Sequence, residues 1–311
     1  MDLRVTKERL NDHLSYDWWK YIAILVASIF FWSLIFTMTS PRLTSDKKME
    51  VFFIVDGYDA DGAERVRARL YDYLSQDFVD LSFNSYSASD EYTTSQVLTA
   101  RISIREGDLY VFAYSDKAKE NTFGVYVDRD LFVDFETLIA DAKAFGADVM
   151  SEEQFNELNV GKREYRTPER LREGYQSYVR TRQRALAEAE KLERFIQMYG
   201  EAEGEPLFLR YSRNLVTREL FPEENLSLGE EKIWGLNFNA FAENISDFNN
   251  YGFIYSGVNP QTGSIYPIRY AMGFVSFKNE NMPLYYENLA VINFFIETFY
   301  QPEIDRQAEG A

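Results

Sequence analysis

Residues 49–115 decide the fold class, and they read MEVFFIVDGYDADGAERVRARLYDYLSQDFVDLSFNSYSASDEYTTSQVLTARISIREGDLYVFAYS. The stretch opens with an apolar run that ends in the turn residues DGYDADG, as a buried strand does. Val66, Leu70 and Leu74 then follow at four-residue spacing, which places them on one face of a helix. The opening of this region is therefore interpreted as a strand, a turn and a helix.

The remainder of the stretch repeats this alternation. Residues 77–87 are interpreted as a second strand and residues 94–104 as a second helix. Gly107 ends that helix, and residues 109–114 form a third apolar run. Strand, helix, strand, helix, strand at this spacing is typical of βαβ units, so we expect an α/β domain with a parallel or mixed sheet.

Upstream of this domain lies a segment long enough to cross a membrane. Residues 21–38 read YIAILVASIFFWSLIFTM and contain no charge. Eighteen helical residues span about 27 Å, close to the thickness of a bilayer core. Trp18 and Trp19 stand at its N-terminal edge, where aromatic rings favour the membrane interface. The alternatives are a buried core helix and a cleaved signal peptide. Pro41 and the absence of an A-x-A site argue against cleavage.

The charge distribution suggests which side of the membrane the rest of the chain occupies. The chain carries a net charge of −17, and residues 1–40 hold equal numbers of acidic and basic side chains. The acidic excess therefore lies in residues 41–311. We predict a single-pass protein of the cell membrane, with a cytoplasmic N-terminus and an extracytoplasmic body. Such a negative field disfavours nucleic acid as a partner.

The clearest helix begins at Thr167-Pro168-Glu169, where a cap, a first-turn proline and an acid follow in order. The helical pattern runs to Tyr199, and the segment 162–194 holds ten Lys or Arg against six Glu. This composition fits a solvated face with intrahelical ion pairs, or a docking helix for an acidic or membrane-proximal partner. Apolar residues recur along it at a 4-3 spacing with Arg182 as the interruption. The candidate docking residues are Leu171, Tyr175, Tyr178 and Arg182.

The C-terminal third contains two aromatic runs on either side of Asn259-Pro260-Gln261-Thr262-Gly263, which predict a hairpin or two linked strands. Its tyrosines have rings that can stack on a flat ligand, although core packing explains them equally well. The candidate ligand-binding residues are Tyr251, Tyr255, Tyr266 and Tyr270. Residues 289–299, LAVINFFIETF, predict an apolar terminal helix.

Residues that usually carry catalysis are scarce in this chain. It has no cysteine and a single histidine, His13, which removes thiol chemistry, histidine triads and most zinc sites. Three aspartates, Asp56, Asp59 and Asp61, follow the first strand, but Gly57 and Ala68 occupy the first and twelfth positions of a calcium loop, where oxygen ligands belong. We expect no metal, no cofactor and no catalytic residues, with a carboxylate-dependent glycan-active enzyme as the opposing hypothesis.

The stretch 49–115 also resembles the opening of an extracytoplasmic solute-binding protein of the type 2 periplasmic-binding fold. Residues 107–112, GDLYVF, stand where that family has its third strand, and residues 122–139, TFGVYVDRDLFVDFETLI, resemble the segment that follows it. The terminal helix at 289–299 is similar as well. The resemblance covers about residues 49–140 and the C-terminal helix. The chain departs from that family in lacking a lipobox cysteine and in having a long charged helix in place of much of the second lobe. No ligand-binding residue of the family is therefore assigned to this sequence.

This resemblance implies a membrane-anchored binding or accessory protein that works beside transporter subunits, with an ABC-type importer as the expected partner and a small-molecule ligand possible. A non-catalytic envelope scaffold is the alternative. The expected organisation is a leader at 1–20, a membrane helix at 21–38, a tether at 39–48, an α/β lobe at 49–150, a helical segment at 160–200 and an α+β segment at 201–311.

Overall fold

The computed structural model describes residues 7, 18–39, 48–55, 58–74, 80–88, 91–201, 206–244, 269–276 and 285–300. Structural statements below refer to these residues. The chain forms two compact units, residues 1–44 and residues 45–311. The first contains the apolar helix, and the second, here called the body, contains the sheet.

The apolar segment forms one helix, α1, from Trp18 to Thr39. Between Trp18 and Phe36 it is long and apolar enough to cross a membrane, and none of that window is buried within the protein. This exposure is not that of a buried core helix. A signal sequence near an N-terminus meets the same criteria of length and composition.

The alternation predicted for residues 49–115 is confirmed. The elements are β1 (Lys48–Ile54), α2 (Ala60–Leu74), β2 (Asp80–Tyr86), α3 (Glu91–Ser103) and β3 (Leu109–Tyr114). β1 lies between β2 and β3 and is parallel to both. Gly107 has φ +90°, and an added Cβ would lie 2.7 Å from the Tyr110 ring. The turn before β3 therefore requires glycine, for both its backbone angle and its lack of a side chain.

The second half of the body extends this sheet with antiparallel strands, so the sheet is mixed. The strands are β4 (Phe132–Val133), β5 (Phe208–Ser212), β6 (Glu231–Asn237) and β7 (Arg269–Val275). The order of strands in the whole sheet is β2-β1-β3-β7-β6-β5, and β4 pairs with β7 outside this order. β7 lies between β3 and β6 and is antiparallel to both. The expected lobe at 49–150 and the segment at 201–311 thus share one sheet.

Helices cover both faces of the sheet. The helices of the second half are α4 (Thr122–Asp128), α5 (Phe135–Ala147), α6 (Glu152–Asn159), α7 (Pro168–Tyr199), α8 (Leu215–Leu220), α9 (Asn239–Asn244) and α10 (Tyr285–Phe295). A five-residue π-helix, Ile296–Tyr300, continues α10. One core cluster joins the sheet to α2, α5, α7 and α10. The other joins the opposite face to α3, α4 and α8. The terminal helix predicted at 289–299 is thereby confirmed as a core element.

α5 begins at a charged cap that makes the stability of the body depend on pH. The Asp134 carboxylate accepts hydrogen bonds from the Thr137 N–H and hydroxyl at 2.9 Å and from Lys232 Nζ at 3.1 Å. Burial opposes the charge, but these donors outweigh it and hold the pKa of Asp134 below its ordinary value. A carboxyl whose pKa is lowered on folding stabilises the protein above its unfolded pKa of about 3.9 and loses that contribution as pH falls.

We therefore expect Asp134→Ala to lower the free energy of unfolding at pH 7 by about 1–2 kcal/mol, and by less at pH 3. Urea unfolding of the full-length protein in mild detergent at both pH values measures the difference. Glu136→Gln is the control, because burial and a hydrogen bond to Asp134 raise the pKa of Glu136. That variant is expected to be neutral or stabilising at pH 7. An Asp134→Ala cost that is the same at both pH values would contradict the charged cap.

Candidate functional site

The long helix α7 has the start and the length predicted for it. Thr167 caps it by accepting from the Arg170 N–H, Pro168 opens it, and it runs for 32 residues. Its C-terminal half is built into the core, where the buried residues are Ala185, Ala189, Leu192, Phe195 and Tyr199. Along residues 168–184 no side chain is fully buried. The apolar pattern therefore serves two purposes, core packing in the second half and the wall of a cleft in the first.

The cleft lies between the N-terminal half of α7, the 3₁₀ turn Arg163–Tyr165, α6 and the end of α5. Its volume is about 840 Å³, within the range of small-molecule sites. Four aromatic side chains line it together with charged and hydroxyl groups. The lining includes Phe145, Phe155, Tyr165, Tyr178, Arg182 and Gly174.

Arg182 stands at one end of the cleft with its side chain only 12% exposed. Its guanidinium carbon lies 4.3 Å from the ring centre of Phe145 and 4.5 Å from that of Tyr178. Nη1 donates to the Phe145 carbonyl at 2.6 Å and lies 3.7 Å from the exposed carboxylate of Asp148. Nε is buried and has no acceptor. The two rings thus hold the cation rigidly, while its charge is only partly compensated.

The tyrosines predicted for docking pack against their own domain. Tyr178 accepts from the Met150 N–H at 3.1 Å and donates to the Asp148 carbonyl at 3.2 Å. The rings of Tyr175 and Tyr178 both contact Phe155 of α6. Leu171 is half-buried. Of these residues, Tyr178 lines the cleft, whereas Leu171 and Tyr175 do not.

The opposite end of the cleft depends on a close approach at Gly174. A Cβ at this position would lie 2.3 Å from Cε1 of Tyr165, so the Tyr165 ring rests directly on the α7 backbone. The Tyr165 ring also makes an edge contact with Phe155 at 5.8 Å between centroids. α6 itself begins at a capping box formed by Ser151 and Gln154. Nothing in the sequence marked the single Phe155 as the centre of an aromatic cluster.

Three charged side chains border the cleft near Tyr165. Glu164 belongs to the 3₁₀ turn, whereas Arg170 and Glu173 lie on the first turns of α7, and all three are exposed. Within the described part of the chain, none of the three takes part in an ion pair. The border thus presents both signs of charge above a floor of aromatic rings, an arrangement suited to a ligand with polar ends and an apolar body.

The aromatic ligand site predicted for the C-terminal third is not assembled by the described residues. Tyr251, Tyr255 and Tyr266 lie outside them. Tyr270 is in β7, only 2% exposed, and belongs to the core. Its assignment as a ligand-binding residue is corrected by this burial, since it lies in a strand covered by helices on both faces of the sheet.

Two tyrosines outside the cleft, Tyr73 and Tyr58, have pKa values shifted away from those of a catalytic base. Tyr73 donates to Glu297 at 2.7 Å and accepts from Lys191 at 3.0 Å. Burial, and then the hydrogen bond to Glu297, raise the pKa of Tyr73, so the phenol stays protonated. Burial likewise raises the pKa of Tyr58 to about 12. A tyrosine acting as a base needs the opposite shift.

The aspartate turn after β1 acts as the start of a helix. Asp59 directly precedes α2, and its carboxylate accepts a hydrogen bond at 3.0 Å from the N–H of Gly62 in the first turn of that helix. Asp56 lies outside the described residues. Among those that are described, no group of three His, Cys, Asp or Glu side chains is arranged to hold a metal ion.

No protein-family model, no curated protein and no solved structure matches the chain. The resemblance to solute-binding proteins therefore stays a prediction, and the function is inferred from the geometry of the chain itself.

Proposed function

We propose that this protein is a membrane-anchored, extracytoplasmic binding or accessory protein that works beside a membrane transporter of the ABC importer type. In this proposal α1 is retained as the anchor, with its N-terminus in the cytoplasm. The observation that carries the proposal is the open, aromatic-walled cleft on the half of α7 that lies outside the core.

A tethered domain suits this role for a physical reason. A linker of a few residues fixes a binding domain near a membrane partner at an effective concentration that reaches about the millimolar range. Even weak contacts between the body and a transporter subunit then give substantial occupancy. The cleft side of α7 presents Arg170, Glu173 and Ser177 to such a partner or to its ligand.

Binding fits the electrostatics of the body better than catalysis. The tyrosines with perturbed pKa values, Tyr58, Tyr73 and Tyr211 among them, are all shifted upward by burial, so they remain neutral. Arg182, the most buried cation of the cleft, is held between two rings and a carbonyl. Fixed donors and rings of this kind recognise a ligand without needing to exchange protons with it.

Because the natural chain has no cysteine, single-cysteine variants can test sidedness and partnership together. Ser177→Cys places a thiol in the cleft, Gln183→Cys places one elsewhere on α7, and Thr6→Cys places one in the leader. We expect a membrane-impermeant maleimide to label the two α7 thiols in intact cells of the native host, whereas the leader thiol reacts only after lysis. A thiol-directed photocrosslinker at position 177 is expected to capture a transporter subunit.

The control and the contrary outcomes are specific. The Gln183→Cys variant shows how much capture arises from mere proximity to the membrane, and it is expected to capture the subunit more weakly. Labelling of the leader in intact cells would overturn the orientation. If the α7 thiols are labelled in intact cells as expected but no transporter subunit is captured from position 177, the transport role is overturned and the envelope scaffold is favoured.

A further inference from the structure

We propose that one end of the body, here called the entry end, rests on the surface of a lipid bilayer and buries exposed apolar side chains at the level of the headgroups. The entry end is the end of the sheet at which Lys48 begins β1. This inference rests on the proposed role of α1 as a retained anchor, and it adds a second membrane contact that the body itself makes.

The sheet topology defines which connections lie at the entry end. β3 is parallel to β1, and β6 runs in the same direction because β7 lies between β3 and β6 and is antiparallel to both. The turn before β3 and the segment before β6 are therefore at this end, together with the end of β5. The Asp108 N–H donates to the Glu50 carbonyl at 2.9 Å, and the Gly229 N–H donates to the Arg213 carbonyl at 3.0 Å. These hydrogen bonds hold both connections against the neighbouring strands.

Each of these three connections presents an exposed aliphatic side chain. Ile104, in the turn before β3, is 68% exposed, and Leu228, in the segment before β6, is 46% exposed. Leu215, which follows β5, is 44% exposed. Single exposed apolar residues are common on protein surfaces, but several at one end of a molecule indicate a contact with a partner or a membrane.

Helix α7 runs from the opposite end of the body to the entry end. Its last residue, Tyr199, contacts Tyr300 at 5.0 Å between ring centres, and Tyr300 contacts Phe241 of α9, which follows the far end of β6. Nearer the start of α7, Arg184 Nη2 donates to the carbonyl of Leu74, the last residue of α2. α2 brings the chain back to the start of β2, which is parallel to β1. The N-terminal half of α7 therefore extends from the core at the entry end.

This half of α7 and the turn before it add apolar and basic side chains. Leu158 and Val160 are 63% and 70% exposed. Residues 158–184 contain eight Lys or Arg and three Glu, although the whole chain carries a net charge of −17. Aliphatic side chains enter the boundary between headgroups and acyl chains, and neighbouring cations stay with the lipid phosphates. The composition of this segment therefore suits the surface of a bilayer that contains anionic lipid.

The occupant is a bilayer because the chain carries its own membrane segment. Only residues 40–47 separate α1 from β1, and a fully extended chain of that length reaches about 30 Å at most. Once α1 is inserted, the entry end stays near a lipid surface. The attachment gives that surface a high effective concentration, so even a weak contact is well occupied.

Fluorescence quenching by lipid tests this inference on the full-length protein, reconstituted in vesicles of phosphatidylcholine with a minority of phosphatidylglycerol. The variants Ile104→Cys, Val160→Cys and Leu228→Cys each carry a small environment-sensitive fluorophore on the only cysteine. Met198→Cys is the matched control, because Met198 is 60% exposed near the opposite end of α7. Phospholipids with a spin label on the acyl chain quench only a fluorophore that reaches the lipid. We expect quenching at the three entry-end positions to be several-fold stronger than at position 198.

Charged substitutions test whether the apolar side chains make the contact. Ile104→Asp combined with Leu228→Asp is expected to reduce the quenching of a fluorophore at position 160 several-fold, because a carboxylate opposes burial at the lipid boundary. Met198→Asp is the control and is expected to leave that quenching unchanged. All three substituted side chains are exposed, so the core packing of the body is preserved.

The outcomes separate this inference from the proposed function. Equal quenching at all four labelled positions, no quenching at any of them, or quenching at position 160 that survives the double aspartate variant would overturn the lipid contact. If alkaline extraction leaves the protein in the vesicles while the entry end is not quenched, the anchor stands and the contact fails. If alkaline extraction releases the protein, the anchor and this inference both fail. If quenching occurs as expected while no transporter subunit is captured from position 177, the lipid contact stands and the transport role fails.

Discussion

Asp128→Ala is expected to lower the free energy of unfolding of the body by about 3 kcal/mol, because it leaves several donors without their acceptor. The Asp128 carboxylate lies at the end of α4 and accepts four hydrogen bonds. The Tyr211 hydroxyl and the Asn214 N–H bind one oxygen at 3.0 and 2.6 Å. The Thr217 N–H and hydroxyl bind the other at 2.9 and 2.8 Å. Urea unfolding of the full-length protein in mild detergent measures the loss.

This carboxylate joins elements that are far apart in sequence. It connects the end of α4 to β5 and to the first turn of α8, and the Tyr211 hydroxyl in turn accepts from the Val216 N–H at 3.0 Å. Asn214, at the start of α8, has φ +66°. The carboxylate therefore holds a left-handed turn, a conformation that asparagine adopts more readily than most residues.

Two companion variants make the expectation specific. Asp128→Asn keeps one acceptor oxygen and is expected to lie between the natural protein and the alanine variant. Asp116→Ala removes an aspartate that is 78% exposed and paired with Arg269 at 3.3 Å, and its effect is expected to stay below about 1 kcal/mol. An Asp128→Ala cost no larger than that of Asp116→Ala would show that the four hydrogen bonds are replaced by water.

The first half of the sheet was predictable because its contacts are local. β1, β2 and β3 alternate with helices, and their apolar runs are bounded by turn residues such as Gly107. The second half depends on pairing over long sequence separations. β7 inserts between β3 and β6 about 160 residues after β3, and no periodicity within residues 269–275 reveals that neighbour. Tyr270 illustrates this limit. Its aromatic surroundings suggested a ligand site, whereas it lies buried in a central strand.

The candidate site was predictable in part for the same reason. The N-terminal cap and the length of α7 follow from its own sequence, so its start and its end were predicted correctly. What covers each part of its apolar stripe is decided elsewhere. α5 and α10 bury the C-terminal half, whereas α6, the turn at Tyr165 and the end of α5 meet the N-terminal half. Arg182 interrupted the stripe in sequence, and in the structure it marks the place where the core ends and the cleft begins.

The α5–α7 contact connects the core to the cleft, and the two helices approach closely at Gly146. An added Cβ there would lie 2.7 Å from Cβ of Leu186 and 2.8 Å from the carbonyl oxygen of Arg182. Both are fixed parts of α7, so the helices must separate to admit a side chain. The preceding residue, Phe145, supplies the carbonyl and one of the rings that hold Arg182. Separation of the helices therefore disturbs core packing and the arginine end of the cleft together.

Gly146→Val is expected to lower the free energy of unfolding by about 3 kcal/mol, at the upper end for overpacked cores, because the clash involves backbone atoms. Ala144→Val, at an exposed position of the same helix, is the matched control and is expected to cost about 0.5 kcal/mol from helix propensity alone. Urea unfolding measures both. A valine tolerated at 146 at the cost seen at 144 would mean that α5 and α7 can slide apart without loss, and that Arg182 is not held in place by their contact.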